Sequence, residues 1–310
     1  LRQLNLKKLA VNHSEYYSNN HEMIELKNFN FNYGKNQVLN IDEVKIPKNE
    51  IIAVIGKNGA GKSTLINIIT KLIQQDSGQS KILEKEKFDR NLIGVMMQEN
   101  ISLDRITVKE IIKLTRTYYR NPMSYQVILA LSELQNYTNH PMDKLSGGQK
   151  RKLQFALTLA GNPDLIFLDE PTVGMDAESR TKFWKHIDEL KKQGKTFLIT
   201  SHYLEELEKV ANRFIFLHNQ KIIFDGSLNE MGKQLKMVQV TFNSELIEDI
   251  FNKLPAVLRV SELNHHYTLV TSDVNSLITQ LVPYLSAIDN LEIRQQNLDT
   301  LMDSLIRNEE

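Results

Sequence analysis

One segment constrains the fold more than any other. A five-residue apolar run, Ile51 to Ile55, enters "GKNGAGKST" and leaves it as "LINIITKLI". An apolar run of that length reads as a buried strand, and the residues after the loop put Leu65, Ile68, Ile69 and Leu72 on one helical face. The loop itself is Gly56, Lys57, Asn58, Gly59, Ala60, Gly61, Lys62, Ser63 and Thr64, which satisfies G-x-x-x-x-G-K-[ST] in full. Its glycines let successive N–H groups point inward as an anion nest, and the following helix adds its positive end. Lys62 then reaches the β- and γ-phosphates of a nucleotide, and the Ser63 hydroxyl is a ligand for Mg²⁺.

Two more buried strands follow, "DLIFLDEP" and "KTFLITSH", separated by the amphipathic "ESRTKFWKHIDELKKQG" with its terminal glycine. Alternating strands and helices predict an α/β fold with a largely parallel sheet. Asp169, at a strand end after four apolar residues, is placed to organise magnesium, and Glu170 beside it is free to activate a water as general base. Alone, a strand ending in two acids is equally a solvated edge; the phosphate loop upstream favours the catalytic reading. Ser77-Gly78 reads as a turn closing the first helical unit. Between about Glu99 and Lys144 the pattern is mostly helical, opening with a capping-box spacing at Thr107 and Glu110. After about Gly232 short alternating and helical stretches predict a small α+β unit with no motif of its own.

Composition sets outer bounds. Lysine plus arginine equals aspartate plus glutamate, so no global basic field points to nucleic acid, and none is expected as a partner. The absence of cysteine excludes disulfide and thiol chemistry. No stretch approaches the length of apolar sequence a membrane-spanning helix needs. The opening "LRQLNLKKLAVNHSEYYSNNHE" lacks the apolar core of a signal peptide, so residues 1–22 are read as an extension ahead of folded structure. Met96, Met97 and Trp184 read as packing residues, and His265-His266 without neighbouring cysteines as a weak metal signal. A Gly-Gly pair opening a helix at "LSGGQKRKLQ" offers bare N–H groups, so the chain carries two phosphate-binding sequences but one set of carboxylates.

"GKNGAGKST", "LSGGQ" and "LIFLDEP", in this order, resemble the nucleotide-binding subunit of an ABC transporter, over roughly Ile24 to Ser227. The resemblance implies a P-loop NTPase fold: an ATPase domain over 23–230 with a helical subdomain at about 99–158, then a small α+β domain over 231–310. It implies that Gln98 senses Mg²⁺ and the attacking water, and that His202 contacts the γ-phosphate. Tyr33 resembles the aromatic that stacks on adenine; the lesser reading is a strand aromatic packed in the core. Ser146, Gly147, Gly148 and Gln149 would bind the γ-phosphate held by another subunit's loop, together with Asp176 of "EPTVGMD". That loop departs from the usual pattern, with Val173 for serine and Met175 for leucine.

Two chains about a two-fold axis would thus complete two sites, each giving what the other lacks. The implied cofactors are ATP and Mg²⁺. The implied partners are a second cassette and a separate transmembrane permease, met by the helical insert between Gln98 and Leu145. The implied location is cytoplasmic, peripheral on the inner face of the cell membrane. Leu298, Asp299 and Leu301 in "NLDTLMDSLIRN" loosely resemble the "L-E-D-x-F" ending of exporter cassettes, which points to export. The alternative is a soluble ABC ATPase acting on ribosomes or DNA, disfavoured because such chains carry two cassettes or a coiled-coil interruption. For the C-terminal unit, a ligand sensor and a dimer brace are weighed against a plain cover of the cassette surface, and the plain cover is preferred because nothing in its residues favours sensing.

Overall fold

A computed structural model of the chain describes residues 22–83, 85–86, 89–99, 103–201, 203–235, 238–295, 298, 301–302 and 305–306. They divide into two compact units, one within the spans Leu1–His202 and Val210–Ile222, the other within Tyr203–Lys209 and Ile223–Glu310. Among the described residues no helix is long and apolar enough to cross a membrane.

The first unit begins with β1 (Glu22–Tyr33) and β2 (Asn36–Pro47), whose antiparallel register sets Ile24 opposite Ile46 and Phe31 opposite Leu39. Next come β3 (Ile51–Ile55), buried at every position, and α1 (Lys62–Ile69). The expected face on α1 is only partly right. Lys71 takes a left-handed φ of 59°, so the helix has ended before Leu72, which is 61% exposed. Ser77-Gly78 likewise does not close the unit with a turn but starts β4 (Ser77–Ile82), which pairs with β1. At Gly78 a Cβ would lie 2.3 Å from the Asn28 carbonyl, so only glycine lets β4 pass β1 where their register shifts.

β5 (Ile93–Met96) precedes α2 (Val108–Thr117), where Thr107 and Glu110 form the expected capping box, and α3 (Tyr125–Ser132). Then follow α4 (Gly147–Leu159), β6 (Leu165–Asp169), α5 (Ala177–Lys192), β7 (Thr196–Thr200) and α6 (Leu204–Val210), whose residues up to Lys209 belong to the second unit. β8 (Arg213–His218) and β9 (Lys221–Gly226) are joined by Asn219 and Gln220, both at positive φ, a two-residue turn suited to strand twist. The main sheet runs β5-β6-β7-β3-β8-β9, with β5, β6, β7, β3 and β8 paired in parallel. β2, β1 and β4 make a second, antiparallel sheet. The apolar side chains of both sheets and of α1 form one core, in which Phe29, Leu39, Val54 and Ile66 are buried.

In the second unit, α7 (Leu228–Leu235) precedes β10 (Val238–Asn243), α8 (Glu248–Asn252), β11 (Arg259–Leu263), β12 (His266–Thr271), α9 (Val274–Leu281) and β13 (Asp289–Gln295). The sheet order is β11-β12-β10-β13, all antiparallel, and its own core is built on Val240, Phe242, Phe251, Tyr267, Leu269 and Leu277. Leu298 and Leu301 of the tail are buried, and the Leu298 N–H donates to Glu208 on α6. Asp299 lies outside the described residues.

Candidate functional site

In a parallel sheet, side chains that leave the carboxyl ends of the strands converge on one crevice. β3 delivers the phosphate loop there, and β6 delivers Asp169 and Glu170. Gly59 and Gly61 have φ of 82° and 100°, so the loop turns through backbone that other residues rarely adopt. At Gly61 a Cβ would also meet the Leu39 side chain at 2.8 Å, whereas Gly59 faces open space. Gly61 caps α1 with no side-chain hydrogen bond, which leaves first-turn N–H groups for an anion. Lys62 is buried and its Nζ donates to the Gly56 carbonyl at 2.8 Å and the Lys57 carbonyl at 3.3 Å. Burial lowers its pKa, while the charges of Glu170 and Asp169 act the other way.

A cavity of about 490 Å³ is lined by Tyr33, Asn58, Gly59, Gly61, Lys62, Ser63, Thr64, Gln98, Asp169 and Glu170. Its size lies in the range of small-molecule sites. Tyr33 is 53% exposed at its mouth, braced edge-on by Phe31 at 4.8 Å, so the core reading of this aromatic fails. Ser63, Gln98 and Asp169 also line an adjoining cavity of about 500 Å³ bounded by Met96, Met97, Tyr119 and Leu157. A hydroxyl, an amide and a carboxylate facing common space are hard oxygen donors, the set that Mg²⁺ takes together with water. His202 lies outside the described residues.

Asp169 and Glu170 are 2% and 3% exposed, so neither is a solvated strand edge. Thr200, on β7, donates its hydroxyl to Asp169 Oδ1. Its carbonyl and hydroxyl oxygens accept from the Glu170 N–H at 3.1 Å and 3.2 Å. Glu170 itself sits at φ 53°, an uncommon left-handed geometry for a non-glycine residue.

The "LSGGQ" segment lies elsewhere on the same unit. Ser146 is the N-cap of α4: its hydroxyl oxygen accepts from the Gln149 N–H at 3.3 Å, and Gln149 Oε1 accepts from the Ser146 N–H at 2.9 Å. Ser146 and Gly147 are exposed and a Cβ on Gly147 would face open space, while a Cβ on Gly148 would lie 2.8 Å from the Gly174 carbonyl. Asp176 caps α5, accepting from the Ser179 N–H and hydroxyl, each at 2.8 Å, and these donors pull its carboxyl pKa down. Of the two unusual residues in that loop, Val173 is exposed and Met175 buried. Neither Ser146 to Gln149 nor Asp176 lines the phosphate-loop cavity of its own chain.

Two residues of this region escaped the sequence reading. Thr200 is hidden in "LITSH" as one more strand residue. Arg151 falls in "QKRKLQ", where charge on a helix reads as solvated surface. Instead it is 2% exposed, and its guanidinium donates to the carbonyls of Asp169 and Glu170 at 2.6 Å and 2.5 Å and of Met97 and Gln98 at 2.8 Å and 3.0 Å.

Residues 39–173 match the ABC transporter family. The chain is 34% identical over 216 residues to the lantibiotic transport ATP-binding protein SrtF of Streptococcus pyogenes, covering 67% of this chain and 93% of that one. It is 30% identical over 249 residues to the Nod factor export ATP-binding protein I of Burkholderia orbicola, covering 76% and 79%. Its structure resembles a dimeric ATP-binding cassette in a post-hydrolysis state bound to ADP and Pi, with TM-score 0.60, 27% identity and coverage of 66% and 98%. The chain belongs to the ABC transporter family, as an ATP-hydrolysing, ATP-binding subunit of such a transporter.

Proposed function

We propose that the chain hydrolyses ATP in pairs and couples that cycle to export through a separate membrane-spanning permease, bound peripherally at the inner face of the cell membrane. In this reading the ATPase domain is 23–230, its helical subdomain about 99–158 faces the permease, and 231–310 is a second domain. Tyr33 stacks on adenine, and residues Gly56 to Thr64 wrap the phosphates. Ser63, Gln98 and Asp169 hold Mg²⁺, which offsets charge on the β- and γ-phosphates. Glu170 takes a proton from the water that attacks the γ-phosphorus, and His202 donates to the γ-phosphate. Ser146, Gly147, Gly148, Gln149 and Asp176 serve the partner chain's nucleotide.

The observation that carries this reading is the shared cavity of Tyr33, the phosphate loop, Gln98, Asp169 and Glu170. The position of Ser146 to Gln149 outside that cavity supports their service to a second chain. Export takes its support from the naming of a relative for Nod factor export. Glu170→Gln tests the core of it: we expect turnover to fall by about 10²–10⁴-fold while ATP now holds a stable dimer on gel filtration. A monomer under saturating ATP would remove the two-chain site. A tagged pull-down from detergent-solubilised membranes tests the coupling. Stoichiometric recovery of a multi-span protein is the expected result, and recovery with ribosomes would overturn the permease.

A further inference from the structure

A buried guanidinium usually meets a carboxylate, because an unpaired buried charge is costly. Arg151 instead spends its two Nη atoms on backbone oxygens and one amide. Nη2 donates to the carbonyls of Asp169 and Glu170, and Nη1 to those of Met97 and Gln98 and to Gln154 Oε1 at 2.6 Å. Gln154, one turn further along α4, donates to the Glu99 carbonyl and extends the same bracket. Backbone dipoles and one amide meet both Nη groups, while the buried Nε has no hydrogen-bond partner among the described residues. Burial lowers the pKa of Arg151 while the neighbouring Asp169 and Glu170 act to raise it. The segments so gripped are the two that carry the water-handling side chains, Glu170 and Gln98. The gripping helix is the one that Ser146 caps.

We propose that Arg151 is a positioning residue for hydrolysis: one rigid guanidinium plane holds the backbone behind Glu170 and the backbone behind Gln98, so the seat of α4 sets the seat of the general base in its own chain. A planar fork suits this and a point charge does not, because lysine cannot address two pairs of carbonyls in fixed directions. The inference rests on Glu170 being the base. It makes no use of the phosphate loop, so nucleotide affinity measured without Mg²⁺ should be insensitive to it.

The test compares Arg151→Lys and Arg151→Met with the parent and with Glu170→Gln, all in the full chain. Fluorescent-nucleotide titration without Mg²⁺ reads single-chain affinity, gel filtration reads the ATP-held dimer in the Glu170→Gln background, and steady-state kinetics give kcat and KM. For Arg151→Lys we expect KM, affinity and dimer to hold while kcat falls by roughly 10²-fold, the scale of a misplaced reacting group. Parental kcat in Arg151→Lys overturns the proposal. So does a loss in which kcat, KM and melting temperature move together, since a structural brace alone predicts that. Should Arg151→Met fail to fold, the Lys variant decides by itself. If Glu170→Gln turns over like the parent, the base reading has failed and the proposal falls with it. If Glu170→Gln is inactive and Arg151→Lys is not, the role of Arg151 alone is lost.

Discussion

Thr200 joins two neighbours that differ in task. Its hydroxyl donates to the Asp169 carboxylate and accepts from the Glu170 N–H, so one oxygen fixes the end of β6 against β7. Thr200→Val keeps the shape and the backbone bond to the Glu170 N–H but leaves the buried Asp169 carboxylate short of a partner, at a cost of about 1–3 kcal/mol. Urea unfolding should register that loss, and turnover should fall with it; an unshifted urea midpoint would show that the bridge contributes nothing. Tyr33 is the opposite case. More than half exposed, it adds little to folding, so Tyr33→Ala should leave the melting temperature alone. Nucleotide binding should weaken by about 1–3 kcal/mol, the usual worth of a base stacked on an aromatic ring. Calorimetric titration with ATP would decide, and unchanged affinity would put the base elsewhere.

At the scale of elements, the first turn of α4 and the loop after β6 are in direct contact. Gly148 approaches the Gly174 carbonyl so closely that a methyl group has no room, and Gly174 itself holds φ 77°. Gly148→Ala should therefore cost about 1–3 kcal/mol by crowding and lower the thermal midpoint; a midpoint equal to the parent's would mean the two loops are free to part. Elements such as α2, α5 and the buried strands were legible because their signals are local: a capping box, an apolar period, a terminal glycine. The phosphate loop was legible for the same reason, since consecutive residues carry its whole geometry. What could not be read depends on distant chain. The Arg151 donors meet acceptors 54 and 18 residues away, and nothing in "QKRKLQ" marks which of three basic residues turns inward. The end of α1 escaped too, because a left-handed Lys71 costs little and leaves no mark in sequence.

Among the described residues, two cores share no residue, one around α1 and the main sheet, one around Phe242 and Tyr267. Scanning calorimetry should accordingly show two transitions, and ATP at about a hundred times its dissociation constant should stabilise only the one containing the phosphate loop, by about 2.7 kcal/mol. A single transition that ATP moves as a whole would mean that the units unfold as one. Under the proposed pairing each chain needs something to offer outward, and the Ser146 hydroxyl shows how little that takes. A hydroxyl has one hydrogen and two lone pairs. The Gln149 N–H engages the oxygen as an acceptor, so capping the helix does not use up the hydrogen, and Ser146 is exposed. In the proposed two-chain reading, one atom closes its own helix as an acceptor and would meet the second chain's phosphate as a donor. Aspartate would close the helix as well, but it brings no hydrogen and the wrong sign of charge. A Ser146→Asp chain would be a well-folded protein that has become a poor neighbour.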